Sequence, residues 1–126
     1  MQIQLETGSQ NNLIRAHAPG QITVNDTVYR ASIIVLPNRV IADWPPQQFA
    51  ELAAPHFQLL GELESEVVLI GTGKRLQFPR VELLTPLIAS GTGFELMDTA
   101  AACRTYNILM GEGRKVAAAL MMIDAD

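Results

Sequence analysis

A second cysteine is missing from this chain, and that absence already narrows what it can be. The single thiol, Cys103, has no partner for an intrachain disulfide and cannot belong to a Cys-rich zinc site, so it fits a reducing compartment. Histidine is almost as scarce. His17 and His56 stand far apart with no His-x-x-x-His spacing, so a metal site would have to be built mostly from carboxylates, and neither metal nor cofactor is expected. Charge is thin, at 17% of residues, and 9 basic against 13 acidic side chains leave a net charge of -4. Nothing gathers Lys and Arg into the stripe that a phosphate backbone requires, which argues against a nucleic-acid partner. Long apolar runs are absent too: Val116 to Ile123 is the longest, 8 residues where a membrane-spanning helix needs about 20, so no membrane insertion is expected. Met1 to Glu6 shows neither a secretory signal nor an Arg-rich transit pattern, and the expected location is cytoplasmic.

What is present is a hydrophobic share of 48% in 126 residues, enough for one domain, 1–126, that buries roughly two thirds of its unfolded surface. Residues 1–12 read as a flexible N-terminal segment. The first half then reads as short β-branched strands, Leu13 to Ala18, Ile22 to Val24, Thr27 to Leu36 and Val40 to Ala42, broken at Pro19-Gly20, Asn25-Asp26 and Pro37-Asn38. Ile33-Ile34-Val35-Leu36 is apolar on both faces and belongs in a covered sheet. Pro55 suits the first turn of a short helix running to about Leu63. A strand at Glu66 to Ile70 follows. The next helix, from Pro79 or Arg80 to Ser90, sets Val81, Leu84, Leu87 and Ile88 on one side, and Pro86 inside it predicts a kink or break. Phe94 to Met97 is a strand. Asp98 is a good N-cap for a helix from Thr99 to about Glu112, with Ala102, Cys103, Tyr106, Leu109 and Met110 forming its apolar stripe. Lys115 to Met122 closes the order as a buried strand. The sum is an α/β domain of three layers: a central mixed, mostly parallel sheet flanked by helices, plus an extra N-terminal β-hairpin layer.

Two strands run straight into turn or cap residues, and ligands of open α/β folds collect at such strand ends. Gly71-Thr72-Gly73-Lys74-Arg75 is not a Walker loop, because Val68 stands where its first glycine belongs and Arg75 where Ser or Thr should be; Leu76 stands where a dinucleotide fingerprint needs its third glycine. Its glycines allow a tight turn, or a loop that touches a ligand with charge from Lys74 and Arg75. Asp98 and Thr99 open a helix, and the carboxylate there takes the place an anion would want. Arg104 lies off the apolar stripe. The tentative ligand-binding set is therefore Gly71, Thr72, Gly73, Lys74, Arg75, Asp98, Thr99 and Arg104, on the condition that the two strand ends emerge side by side. Trp44, flanked by Asp43 and two prolines, is either a surface anchor for a partner or a lid on the core. Cys103 sits in an apolar stripe with no histidine near it, so it reads as a core residue and no catalytic residue is assigned.

Gly71-Thr72-Gly73-Lys74 with Phe78-Pro79, the run from Gly91 and Gly93 through Glu95, Met97-Asp98-Thr99-Ala100-Ala101-Ala102-Cys103-Arg104-Thr105-Tyr106-Asn107, and Glu112-Gly113-Arg114 together resemble one family. It is the small Mth-type domain family of unknown function, which includes the mitochondrial complex I assembly factor 3 and the adipogenesis-associated domain protein. The resemblance spans about Ser32 to Met121. It implies a three-layer domain with helices on one side of a mixed sheet and extra strands on the other, and a bacterial, stand-alone member. It also implies a theme of helping a respiratory complex assemble, hence a protein partner. The leading expectation is a cytosolic, non-catalytic protein-interaction or assembly module. The alternative is a small polar-ligand or nucleotide-binding enzyme or sensor using the strand ends at Gly71–Arg75 and Asp98–Arg104, with Glu95 the carboxylate to watch.

Overall fold

Two stretches carry an apolar residue at every position, Ile33–Leu36 and Val116–Leu120, and both are buried throughout, as strands covered above and below must be. Everything else in the fold arranges cover for them. The computed structural model describes residues 11–126. In chain order the elements are β1 (Ile14–Ala18), β2 (Gln21–Val24), β3 (Thr27–Tyr29), β4 (Ile33–Leu36), β5 (Arg39–Ile41), a single 3-10 turn at Phe49–Glu51, α1 (Ala54–Gly61), β6 (Val67–Gly71), α2 (Val81–Ala89), β7 (Gly93–Met97), α3 (Thr99–Gly111) and β8 (Val116–Leu120).

The central sheet has five strands in the order β5-β4-β8-β6-β7, with β6 parallel to both β7 and β8 and β4 antiparallel to β8 and β5. β4 alone runs against the rest. A separate antiparallel sheet, β1-β2-β3, forms the added layer, and Asn25 at φ 51° takes its hairpin turn. Thr27 to Leu36, read as one strand segment, divides at Arg30–Ser32: its first part completes the small sheet and its second enters the central one.

The alternating side chains of β4, β6 and β8 build two cores. On one face Ile33, Val35, Leu69, Val116, Ala118 and Leu120 meet Ala102, Cys103 and Tyr106 of α3 together with Ile14, Ile22 and Val24 of the small sheet. On the other, Ile34, Leu36, Val68, Ile70, Ala117 and Ala119 meet Phe57 and Leu60 of α1, Leu84 and Leu87 of α2, and Trp44. Helices thus lie on both faces, and α3 shares the strand side. Its apolar stripe packs as the periodicity requires, and its alanines let it lie close to β6 and β8.

Two expectations need correction. Of the kink or break expected at Pro86, the break does not occur: α2 runs on through it over 9 residues, because the missing N–H removes only one late bond. Within that helix only Leu84 and Leu87 are buried, whereas Val81 and Ile88 are 63% and 50% exposed, because they sit on the flank of the helix and not over the sheet. Of the expected flexible segment 1–12, residues 1–10 lie outside the described residues. Asn12 is held: its N–H and side chain donate to Pro37 and Leu36 carbonyls, and its own carbonyl accepts from the Tyr106 hydroxyl at 2.8 Å.

Candidate functional site

The parallel pairing of β6 with β7 runs to Gly71 opposite Met97, so the loop after one strand and the cap after the other do emerge side by side. What happens there is mutual satisfaction. The Gly73 N–H donates to Thr99 Oγ1 at 2.8 Å, and the Thr99 N–H donates to the Gly73 carbonyl at 3.0 Å. The Thr72 N–H reaches the Met97 carbonyl, and its hydroxyl, fully buried, donates to the Arg75 carbonyl at 2.7 Å while accepting from the Gln77 N–H. Asp98 caps α3 as expected, its Oδ1 accepting from the Ala101 N–H at 2.9 Å. Gly71 is required by close approach, since a Cβ there would meet Thr99 Oγ1 at 2.8 Å. Gly73 is required twice over, by φ +96° and by the Ala125 carbonyl that a Cβ would meet at 2.4 Å.

That last contact is a feature the sequence did not announce. Residues 124–126 cross the strand ends: the Ala125 carbonyl accepts from the Lys74 N–H, the Asp126 carbonyl from the Phe49 N–H, and Asp124 Oδ1 from the Gly20 N–H. Lys74 Nζ stands 3.9 Å from Asp126 Oδ1, both side chains mostly exposed, a pairing worth little. Of the sequence-predicted set, then, Gly71, Thr72, Gly73, Asp98 and Thr99 are brought together, with most of their polar groups spent on one another. Lys74, Arg75 and Arg104 point their charge to solvent.

Trp44 is 1% exposed and packs into the core with its ring edge-on to His56, centroids 6.2 Å apart, so of its two readings the lid on the core is the one realised. Cys103 is buried, and the loss of water pushes its thiol up to about 12, far from nucleophilic at neutral pH. Among the described residues no group of three or more His, Cys, Asp or Glu side chains could hold a metal ion. A cleft of about 430 Å³ opens at the opposite end of the sheet, among Leu36, Asn38, Leu63, Met110 and Lys115.

Sequence reasoning missed two further features. Asn107 clamps β1 to α3 by accepting from the Ile14 N–H and donating to the Ile14 carbonyl, at 2.9 and 2.8 Å; an Asn on the flank of an apolar helical stripe was the available signal. The other lies just past the strand-end loop, where Leu76, Phe78 and Val81 are 45%, 71% and 63% exposed. Lys74, Arg75 and Arg80 stand exposed among them.

The model of the protein family described as DUF498/DUF598, of unknown function, matches residues 14–121, every described strand and helix. The chain belongs to this family. Its relatives give the DUF498/DUF598 fold a wide setting. NADH dehydrogenase [ubiquinone] 1 alpha subcomplex assembly factor 3 of Danio rerio is 30% identical over 121 residues, covering 94% of this chain and 69% of its own. The 13 kDa major membrane protein of Francisella tularensis is 25% identical over 92% of this chain and 95% of its own. Among solved structures, a Bordetella parapertussis protein superposes with a TM-score of 0.82 at 42% identity, covering 89% of this chain and 96% of its own. A Bordetella pertussis protein described as an Mth938-like domain gives 0.82 at 32% identity, over 100% and 95%. No helix among the described residues is long and apolar enough to cross a membrane.

Proposed function

We propose that this DUF498/DUF598 domain is a protein-interaction or assembly module that works without catalysis, in the cytoplasm. One observation carries the reading: the strand ends keep most of their polar groups for each other, while the segment that follows them leaves Leu76, Phe78 and Val81 in solvent, with three exposed cations beside them in sequence. Burying side chains of this kind is a main source of binding energy at protein interfaces, with aromatic residues prominent. The similarity to an assembly factor of a respiratory enzyme lends the reading its theme. The small-ligand alternative at Gly71–Arg75 and Asp98–Arg104 draws less support, since the Gly73, Lys74, Thr99 and Ala101 N–H groups that would meet a ligand already have acceptors.

Affinity capture with wild-type bait and with a Phe78→Ser, Val81→Ser bait tests whether this face is a contact surface. The double variant should lose proteins, a second copy of the chain included, that the wild type retains. Identical retention by the two baits would refute the reading.

A further inference from the structure

The exposed apolar residues of α2 form a stripe with a direction. At about 100° per residue, Val81, Thr85 and Ile88 fall on one flank of the helix, Leu84 and Leu87 on the side toward the sheet. The other flank is taken: Gly61 of α1 abuts Ser90 and Pro86. Since α2 is the crossover between β6 and β7, and β7 is the end strand of the sheet, the Val81–Thr85–Ile88 flank faces away from α1, over the open edge of the molecule. Phe78 extends the stripe one turn before the helix begins.

We propose that this flank is the two-fold contact of a dimer, in which α2 packs antiparallel against α2 of a second copy. The proposal rests on the reading of this face as a contact surface and names its partner. Three features make the stripe complementary to itself under that symmetry. Val81 of one copy falls beside Ile88 of the other, and the two Thr85 side chains meet near the axis, with no charged residue on the flank between them. Phe78 comes over Gly91 of the second copy, where a Cβ would meet nothing within 4 Å and a ring has room. Arg80 comes beside the carboxyl end of the second copy's helix, whose last turn holds no basic residue of its own, so each copy supplies the cation that the other's helix end lacks. The same geometry keeps the two Lys74-Arg75-Arg80 groups at opposite ends of a contact one short helix long, about 13 Å.

The chain's lone cysteine is buried, so a Thr85→Cys variant reports on the axis without interference. Under mild oxidation Thr85→Cys should give a disulfide-linked dimer at least about tenfold faster than Ile108→Cys, an exposed control on α3, because only paired cysteines within about 7 Å between Cα atoms can bridge. Sedimentation equilibrium of the wild type should show a reversible dimer, with its dissociation constant raised about tenfold or more in Phe78→Ser, whose circular dichroism should match the wild type because the ring is 71% exposed. Equal cross-linking of the two cysteine variants, or a wild type that stays monomeric to about 500 µM, would overturn the dimer. If that monomer still lost other captured proteins on mutation of Phe78 and Val81, the contact surface would stand and only its occupant would be wrong. Failure of both experiments would remove both.

Discussion

Gly73 and Thr99 are joined by a reciprocal pair of hydrogen bonds, each backbone N–H answered by the other residue, across 26 positions of sequence. The pair locks the exit of β6 to the entry of α3. The Gly73 N–H is buried, so its acceptor cannot be exchanged for water.

Replacing Thr99 by Val removes that acceptor and keeps the shape, leaving a buried donor unsatisfied at a cost of about 1–3 kcal/mol. Thr99→Ser keeps the hydroxyl and should recover most of the loss. Chemical denaturation of the two variants separates the hydrogen bond from the packing.

Gly73→Ala should be more damaging than an average surface change. The left-handed backbone alone costs an L-residue about 1–2 kcal/mol, and the methyl group must also displace the Ala125 carbonyl. The expected result is a lowered melting temperature together with faster amide exchange at Lys74, whose N–H bonds the same carbonyl.

Glu66 and Arg114 give a stability signal in acid. The Arg114 side chain, bonded at 3.0 Å, and then the Lys115 backbone N–H hold the Glu66 carboxyl below its ordinary 4.5. A depressed folded-state value means that the contribution is present above the unfolded carboxyl's titration and is lost as pH falls through the folded one. Glu66→Gln should therefore lower stability slightly at pH 7 and match the wild type in strong acid, measured by urea titration at both. The pair is exposed, so the difference is small.

Cys103 sets the opposite limit. Burial first, with Arg104 partly opposing, pushes its thiol from 9.0 to about 12, so between those values the unfolded chain releases a proton that the folded chain keeps. Stability must fall as pH rises through that window. Burial raises Tyr106 above its ordinary 10.0 as well, so the loss steepens from about pH 10 upward, within the same window. Cys103→Ala should flatten the decline between about pH 9 and 12, once its own cavity cost is subtracted at neutral pH. Alkylation of the native thiol should proceed only as fast as the chain opens.

Much of this architecture was legible because its signals are local. Asp98 followed by a helical stripe gave α3 its start, and doubly apolar strands gave the middle of the sheet. Gly91 and Gly113, with φ of 78° and 82°, stand just past the ends of α2 and α3, where the backbone needs a left-handed residue. The neighbouring exit of β6 and β7 entered the sequence reading as a condition, and the parallel pairing of the two strands meets it. What stayed hidden was tertiary. No property of Ala125 or Asp126 says that they cross Gly73, and nothing in the spacing of Val81 and Ile88 distinguishes the flank of α2 from its underside. The position of Trp44 between Asp43 and prolines fits a buried ring as well as an exposed one, because the backbone bends there whichever way the ring turns.

β8, the last of the described strands in chain order, lies in the middle of the central sheet, between β4 and β6. A growing chain therefore holds two halves, β4-β5 and β6-β7, with no shared ladder, and both hydrophobic faces stay open until residues 116–120 slide between them. Folding of this sheet must wait until residues 116–120 are available, and a chain cut short before them would be two loose edges in search of any strand that fits.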